Sequence, residues 1–154
     1  MSGGEDKTIY VWNIQGLIKS KKPTATFEEW GIARVYGHRA SITSLAYNCS
    51  GDRLATASAD QTVKLWNTRK NTNTYGQPYK KVATLSSHSK GVNAVAFSKD
   101  ADFVVSGGDD KLVHVHEAQS AKIHGVWKKH TQSVVEVVAT SVNNLVLSAS
   151  TDQT

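Results

Sequence analysis

Three sets of a hydroxyl residue, a histidine and an aspartate recur along this chain: His38 with Thr56 and Asp60, His88 with Ser106 and Asp110, and His130 with Ser148 and Asp152. The interval from histidine to aspartate is identical in every set. A hydroxyl, an imidazole and a carboxylate together are the parts of nucleophilic acyl transfer. A nucleophile site occurs once, however, on a special elbow or in a cleft, whereas this trio repeats, and no G-x-S-x-G is present. The trio therefore reads as structural, and no catalysis is expected. Metal chemistry is the second option. His114 and His116 alternate on one expected strand and share a face, and His124 follows on the next. Zinc held by these three is geometrically possible, but structural and surface histidines are the reading taken, with no metal and no cofactor. Cys49 lies in the turn Asn48–Asp52 with no His or Asn partner indicated by spacing, and a single cysteine excludes both an internal disulfide and a cysteine-built zinc site. Ser106–Gly107–Gly108–Asp109 reads as a hairpin turn, not a phosphate loop, with a Gly pair suited to φ > 0.

The elements that hold these residues repeat with them. Four residues before each aspartate stands a hydroxyl (Ser2, Thr56, Ser106, Ser148), and five before stands an apolar residue (Met1, Ala55, Val105, Leu147). Six after Asp6, Asp60 and Asp110 come Trp12, Trp66 and His116. The period shortens along the chain, from Asp6–Asp60 to Asp60–Asp110 to Asp110–Asp152. A shared core with insertions of variable length is the signature of a repeat array. Each unit reads as short strands joined by small turns: 42–48, 53–58, 62–67 and 80–85 in one copy, then VNAVAFS, DFVVSG, LVHVHE and KIHGVW in the next. No stretch keeps a 3.6-residue apolar period, and Pro23 and Pro78 fall in connections. The segment from Gln15 to Trp30 reads as a long loop whose KSKK run is a solvated charge cluster.

Composition agrees with a globular chain: 154 residues, 39% hydrophobic and 20% charged, which excludes disordered and collagen-like classes. The net charge of +5 permits an acidic partner without demanding one. Lys19, Lys21 and Lys22, the pair Lys80 and Lys81, and the pair Lys128 and Lys129 are the basic clusters. The last two pairs flank or lie in the fourth strands, where edge lysines discourage sheet-to-sheet pairing. An RNA-binding surface is the competing reading, and it would lose affinity steeply with salt. MSGGEDK lacks the apolar core of a signal peptide, and no apolar run approaches a membrane span. An intracellular protein, cytoplasmic or nuclear, is expected.

Gly37–His38, the turn Ala59–Asp60–Gln61 and the strand ending Trp66–Asn67, repeated at equal intervals, resemble the WD-repeat β-propeller family. The pattern departs from the family at Trp12–Asn13 and Trp66–Asn67, which lack the closing Asp, at His116 in a Trp place, and at Ser87 and Lys129 in the place of Gly37. The resemblance implies an all-β fold of four-stranded antiparallel blades around a central channel. It implies a hydrogen-bonded network in each blade: His38, Thr56, Trp66 and Asp60; His88, Ser106, Asp110 and His116; His130, Ser148 and Asp152. It also implies a partner-binding rim formed by the third and fifth residues after His and the one before Asp. Those are Ser41, Thr43 and Ala59, then Gly91, Asn93 and Asp109, then Ser133, Val135 and Thr151. They are mostly small or polar, so Arg39, beside His38, is the candidate anchor.

The expected organisation is a partial blade over 1–36, full blades over 37–86 and 87–129, and a half blade over 130–154. That is about three blades' worth, open at both ends, whereas propellers close with about four to eight. The chain is therefore expected to be part of a larger propeller. Two copies completing each other through their half blades are the alternative. The functional expectation is a scaffold that binds proteins or peptides within a multi-protein complex.

Overall fold

The computed structural model describes residues 2–12, 18, 31–69, 79–140 and 145–153. Met1, Asn13, most of the expected long loop with Lys19, Lys21, Lys22 and Pro23, together with Pro78 and Thr154, lie outside the described residues, as does the side chain of Ser2. The described strands form four antiparallel sheets in chain order. The first holds β1 (Ser2–Gly3), β2 (Thr8–Trp12) and β3 (Gly31–Tyr36). The second holds β4 (Ile42–Tyr47), β5 (Arg53–Ser58), β6 (Val63–Asn67) and β7 (Lys80–Leu85). The third holds β8 (Val92–Phe97), β9 (Phe103–Gly108), β10 (Val113–Glu117) and β11 (Ile123–Trp127). The fourth holds β12 (Val134–Ala139) and β13 (Val146–Ser150). Within each sheet consecutive strands pair, and among the described residues the sheets do not close a ring.

The sheets pack face to face through three apolar clusters. Ile9, Val11 and Val35 of the first sheet meet Ile42, Leu54 and Trp66 of the second. Ala55, Ala57, Val63, Leu65 and Leu85 of the second meet Val92, Val95, Phe97 and Val104 of the third. Ala94, Val105, Val113 and Val115 of the third meet Val134 and Val137 of the fourth. The second and third sheets are thus covered on both faces, which is why β5 and β9 are buried over five consecutive residues and β6 and β10 over four, without alternating. A fully buried Val or Leu in such a layer contributes about 1.5–3 kcal/mol relative to exposure. The outermost strand β7, by contrast, is mostly exposed and carries Lys80 and Lys81.

Two local devices repeat with the sequence. The residue after each aspartate has positive φ: Lys7 (62°), Gln61 (70°), Lys111 (70°) and Gln153 (69°). This corrects the expectation for Ser106–Gly107–Gly108–Asp109. Both glycines belong to β9, and the left-handed residue of that turn is Lys111. Close approach explains the pair: a Cβ on Gly107 would collide with Val134 of the next sheet, and one on Gly108 would fall 2.5 Å from the carbonyl oxygen of Gly91. The second device is a β-bulge early in each first strand, between Ile42 and Ser44, Val92 and Ala94, and Val134 and Glu136. A matching bulge interrupts the pairing of each third strand with its fourth, at Val11/Trp12, Leu65/Trp66 and Val115/His116. Each bulge adds one unpaired residue and re-aims its side chain.

Candidate functional site

In the second sheet the four network residues form a chain of hydrogen bonds. The Trp66 Nε1–H donates to Thr56 Oγ1 at 3.0 Å, Thr56 Oγ1 lies 2.6 Å from His38 Nε2, and His38 Nδ1 lies 2.9 Å from Asp60 Oδ2. One proton assignment satisfies all of them: the Thr56 hydroxyl donates to Nε2, and Nδ1–H donates to the carboxylate. β5 supplies Thr56 and β6 supplies Trp66 from the same face, and the turn between them supplies Asp60. Asp60 also accepts from the Arg39 N–H (2.8 Å), the Thr62 N–H (3.1 Å) and the Thr62 hydroxyl (2.6 Å). Burial alone would raise the Asp60 carboxyl, but the bonds from Thr62, Arg39 and His38 outweigh it and hold the group well below the usual carboxylate range. Burial pushes the His38 ring down, against the pull of Asp60, so the ring is neutral. The Trp66 ring leaves no room beside it: a Cβ on Gly37 would sit 2.7 Å from its Cη2.

The third sheet builds the same clamp with a different interior. His88 Nδ1 lies 2.9 Å from Asp110 Oδ2, and His88 Nε2 lies 2.9 Å from Ser106 Oγ. Asp110 accepts from the Ser89 and Leu112 N–H groups at 3.0 and 3.2 Å. His116 is fully buried, and its Nδ1 has no hydrogen-bond partner. Beside it on the same face is His114, in the place that Lys64 takes in the second sheet, buried and without a partner for either ring nitrogen. Burial pushes both rings down to about 4. The half sheet repeats the clamp once more: His130 Nδ1 is 3.2 Å from Asp152, His130 Nε2 is 2.9 Å from Ser148 Oγ, and the Thr131 N–H donates to Asp152 at 2.7 Å.

In each copy the aspartate therefore holds the backbone just after the histidine, fixing the connection from one sheet to the next. The Thr56 and Ser106 hydroxyls are fully buried and already bonded, so neither is presented to a substrate. The zinc set read from the sequence does not assemble. The bulge between Val115 and His116 leaves His124 out of register, and its ring is exposed, 4.8 Å from Phe103 and 4.0 Å from Glu117. The histidine that does approach His114 is His88, 4.2 Å between ring centres. Nothing in the local pattern reveals this contact, because His88 precedes β8 and His114 lies on β10, with two strands between them in sequence.

The rim residues form a repeated edge above these clamps. The Ala59, Asp109 and Thr151 N–H groups donate to the carbonyls of Ser41, Gly91 and Ser133 at 3.0, 2.9 and 3.1 Å. Ala59, Asp109 and Thr151 are exposed, as are Arg39 and Val135, and Ser41 and Ser133 are half-buried. Two rim residues also act between sheets. The Thr43 hydroxyl donates to the Val92 carbonyl at 2.6 Å, and Asn93 Nδ2 donates to the Val134 carbonyl at 3.0 Å and to Asp109 at 2.8 Å. Both sit in the bulges of β4 and β8, which turn them toward the following sheet. Lys80, Lys81, Lys128 and Lys129 are exposed along or just after the outermost strands β7 and β11.

The family model described as WD domain, G-beta repeat matches residues 30–67 and 79–117. The chain is 36% identical over 123 residues to "Probable cytosolic iron-sulfur protein assembly protein 1" of Malassezia globosa, covering 77% of this chain and 30% of that protein. It is 29% identical over 103 residues to "THO complex subunit 3" of Arabidopsis thaliana, covering 66% and 31%. It is 27% identical over 154 residues to "Chromatin assembly factor 1 subunit FAS2 homolog" of Oryza sativa, covering 99% and 29%. The chain thus spans about 30% of the length of these curated relatives.

Proposed function

From the premise that this chain belongs to the WD-repeat family, we propose that it serves as part of a rigid scaffold that binds other proteins within a multi-protein complex. The observation that carries the reading is the repeated rim. Three consecutive clamps hold three equivalent loops in one geometry, and they display Arg39, Ala59, Asp109 and Thr151 to solvent. A preorganised edge of this kind binds without a large ordering cost. Arg39 is the anchor, and its backbone is fixed by Asp60. The names of relatives that are assembly factors or complex subunits support the same reading, as they do an intracellular setting. Thr43 and Asn93 contribute by stapling sheets, and contact a partner only through what remains exposed.

The test is paired charge reversal on the rim, Arg39→Glu and Asp109→Lys, in the protein as it occurs in its source cell. Both variants should keep the far-ultraviolet circular dichroism of the parent and lose co-purifying subunits. Unchanged subunit composition would defeat the rim as the docking surface. A mobility-shift titration with generic RNA at low and high salt checks the competing reading: steeply salt-dependent binding, abolished by neutralising Lys80, Lys81, Lys128 and Lys129, would replace it.

A further inference from the structure

We infer that His88, Asp110 and His114 form a site for one divalent transition-metal ion of the zinc class, set between the second and third sheets. One ligand atom from each residue lies within 4.8 Å of the other two. His114 is 4% exposed, and neither of its ring nitrogens has a hydrogen-bond partner. A buried polar group left without a partner costs free energy and calls for a water or an ion. Two imidazoles and a carboxylate are the donor set of zinc and its neighbours, whereas calcium and magnesium take oxygen ligands.

The second sheet supplies the charge argument. There Lys64 stands where His114 stands in the third sheet, and its ammonium is close enough to Asp60 for the two charges to interact, with its Nζ 3.5 Å from Thr84 Oγ1. In the third sheet the equivalent carboxylate, Asp110, faces neutral His114 instead. A bound cation restores the positive charge that Lys64 provides one repeat earlier.

The surrounding bonds already orient the ligands. The Ser89 and Leu112 N–H groups hold Asp110, and Ser106 Oγ lies at His88 Nε2, which leaves His88 Nδ1 facing the carboxylate. Supporting partners of this kind fix the tautomer of metal-bound histidine. For Nδ1 to hold the ion the ring proton must sit on Nε2, which then donates to Ser106 Oγ. Closing on an ion at ligand distances of about 2.0–2.2 Å draws together three ligand atoms that now lie within 4.8 Å of one another.

The experiment titrates zinc alone into the untagged, chelator-stripped chain by calorimetry. One equivalent should bind, and the thermal midpoint should rise. His114→Lys, which copies the second sheet, should fold with an unchanged circular dichroism spectrum. Loss of supporting partners alone weakens metal sites by about 10–100-fold, so loss of the ligand itself should weaken this one by more than about 100-fold. His124→Gln should bind as the parent does. Histidine-ring NMR of the parent chain needs no variant: the His88 and His114 resonances should move with zinc while those of His130 do not. Equal binding by His114→Lys means an adventitious ion only and overturns the inference, as does the absence of saturable binding or a response confined to His124 and His130.

Discussion

In the second sheet Trp66 fills the space against Gly37 and gives its N–H to Thr56, whereas in the third His116 occupies the same register position, Ser87 stands in the place of Gly37, and the His116 Nδ1 has no hydrogen-bond partner. The outer parts of the two networks are alike to within a few tenths of an ångström: His38 and His88 each bond a hydroxyl and a carboxylate, and each aspartate takes the next backbone N–H. The difference teaches that the clamp and its interior are separable. The clamp needs only His, Asp and a hydroxyl. In the second sheet the interior sets a tryptophan against the glycine before the histidine, and in the third sheet histidine and serine stand at those two positions.

The largest expected effect tests that separation. Trp66→Ala removes a large buried ring and a hydrogen bond and should cost about 2–4 kcal/mol, and Asp60→Ala a similar amount. His116→Ala should cost clearly less, because the smaller ring already lacks a partner at Nδ1. Urea melts at constant m-value measure all three, and equal losses at Trp66 and His116 would break the comparison.

Next comes the paired position. Gly37→Ala forces a methyl against Trp66 and should cost about 1–3 kcal/mol. Ser87→Ala should be neutral or slightly stabilising, since the Ser87 hydroxyl is buried without a partner. His116→Trp alone should destabilise and should recover when combined with Ser87→Gly, with a coupling energy of about 1 kcal/mol. Additive single and double variants would show that the two positions are independent.

A pH series sharpens the account of the clamp. The folded His38 ring is pushed below its ordinary value, chiefly by burial. Protonation is therefore easier in the unfolded chain. The stability the neutral ring contributes is complete above about pH 6.5 and is lost as pH falls below that. The cost of His38→Gln should accordingly shrink between pH 7 and pH 5, and a cost that stays constant would refute a buried neutral imidazole. Asp60, held below the usual carboxylate range, contributes above about pH 4 and loses that contribution as pH falls further.

The smallest effect should be the same in both sheets. Gln61 and Lys111 hold φ near 70°, a region that costs residues with a Cβ about 1–2 kcal/mol. Part of this returns as the extra unfolded-state entropy of glycine. Gln61→Gly and Lys111→Gly should therefore each gain less than about 1 kcal/mol in thermal melts, and by similar amounts. A gain in one sheet alone would mean that the turns are not equivalent.

Much of the architecture was legible from the chain because its signals are local. A strand pair of constant length sets the constant interval between histidine and aspartate, and short β-rich runs bounded by small turn residues mark β4 to β6 and β8 to β10. Where the local signal failed, a contact between strands or sheets was responsible. Gly107 and Gly108 resemble turn residues, but β9 needs them as strand residues because Val134 and the Gly91 carbonyl come so near. Spacing places Thr43 and Asn93 on the rim but does not reveal that the bulges in β4 and β8 also bond their polar groups to the next sheet. His124 shares an apparent alternation with His114 and His116, and one bulged residue turns it to the other side.

The amino-acid sequence by itself determined the repeat and the strands, which depend on spacing along one hairpin, while the partners in each His–Asp clamp were implied by the family resemblance. Only the tertiary structure decided that His114 faces His88, that Gly37 makes room for Trp66, and that Thr43 and Asn93 bind the following sheet. The physical reason is twofold. A bulge shifts the phase of a strand by a single position, and close packing between sheets is set by side chains from separate strands or separate repeats. Neither can be read from the alternation of residue types within one strand.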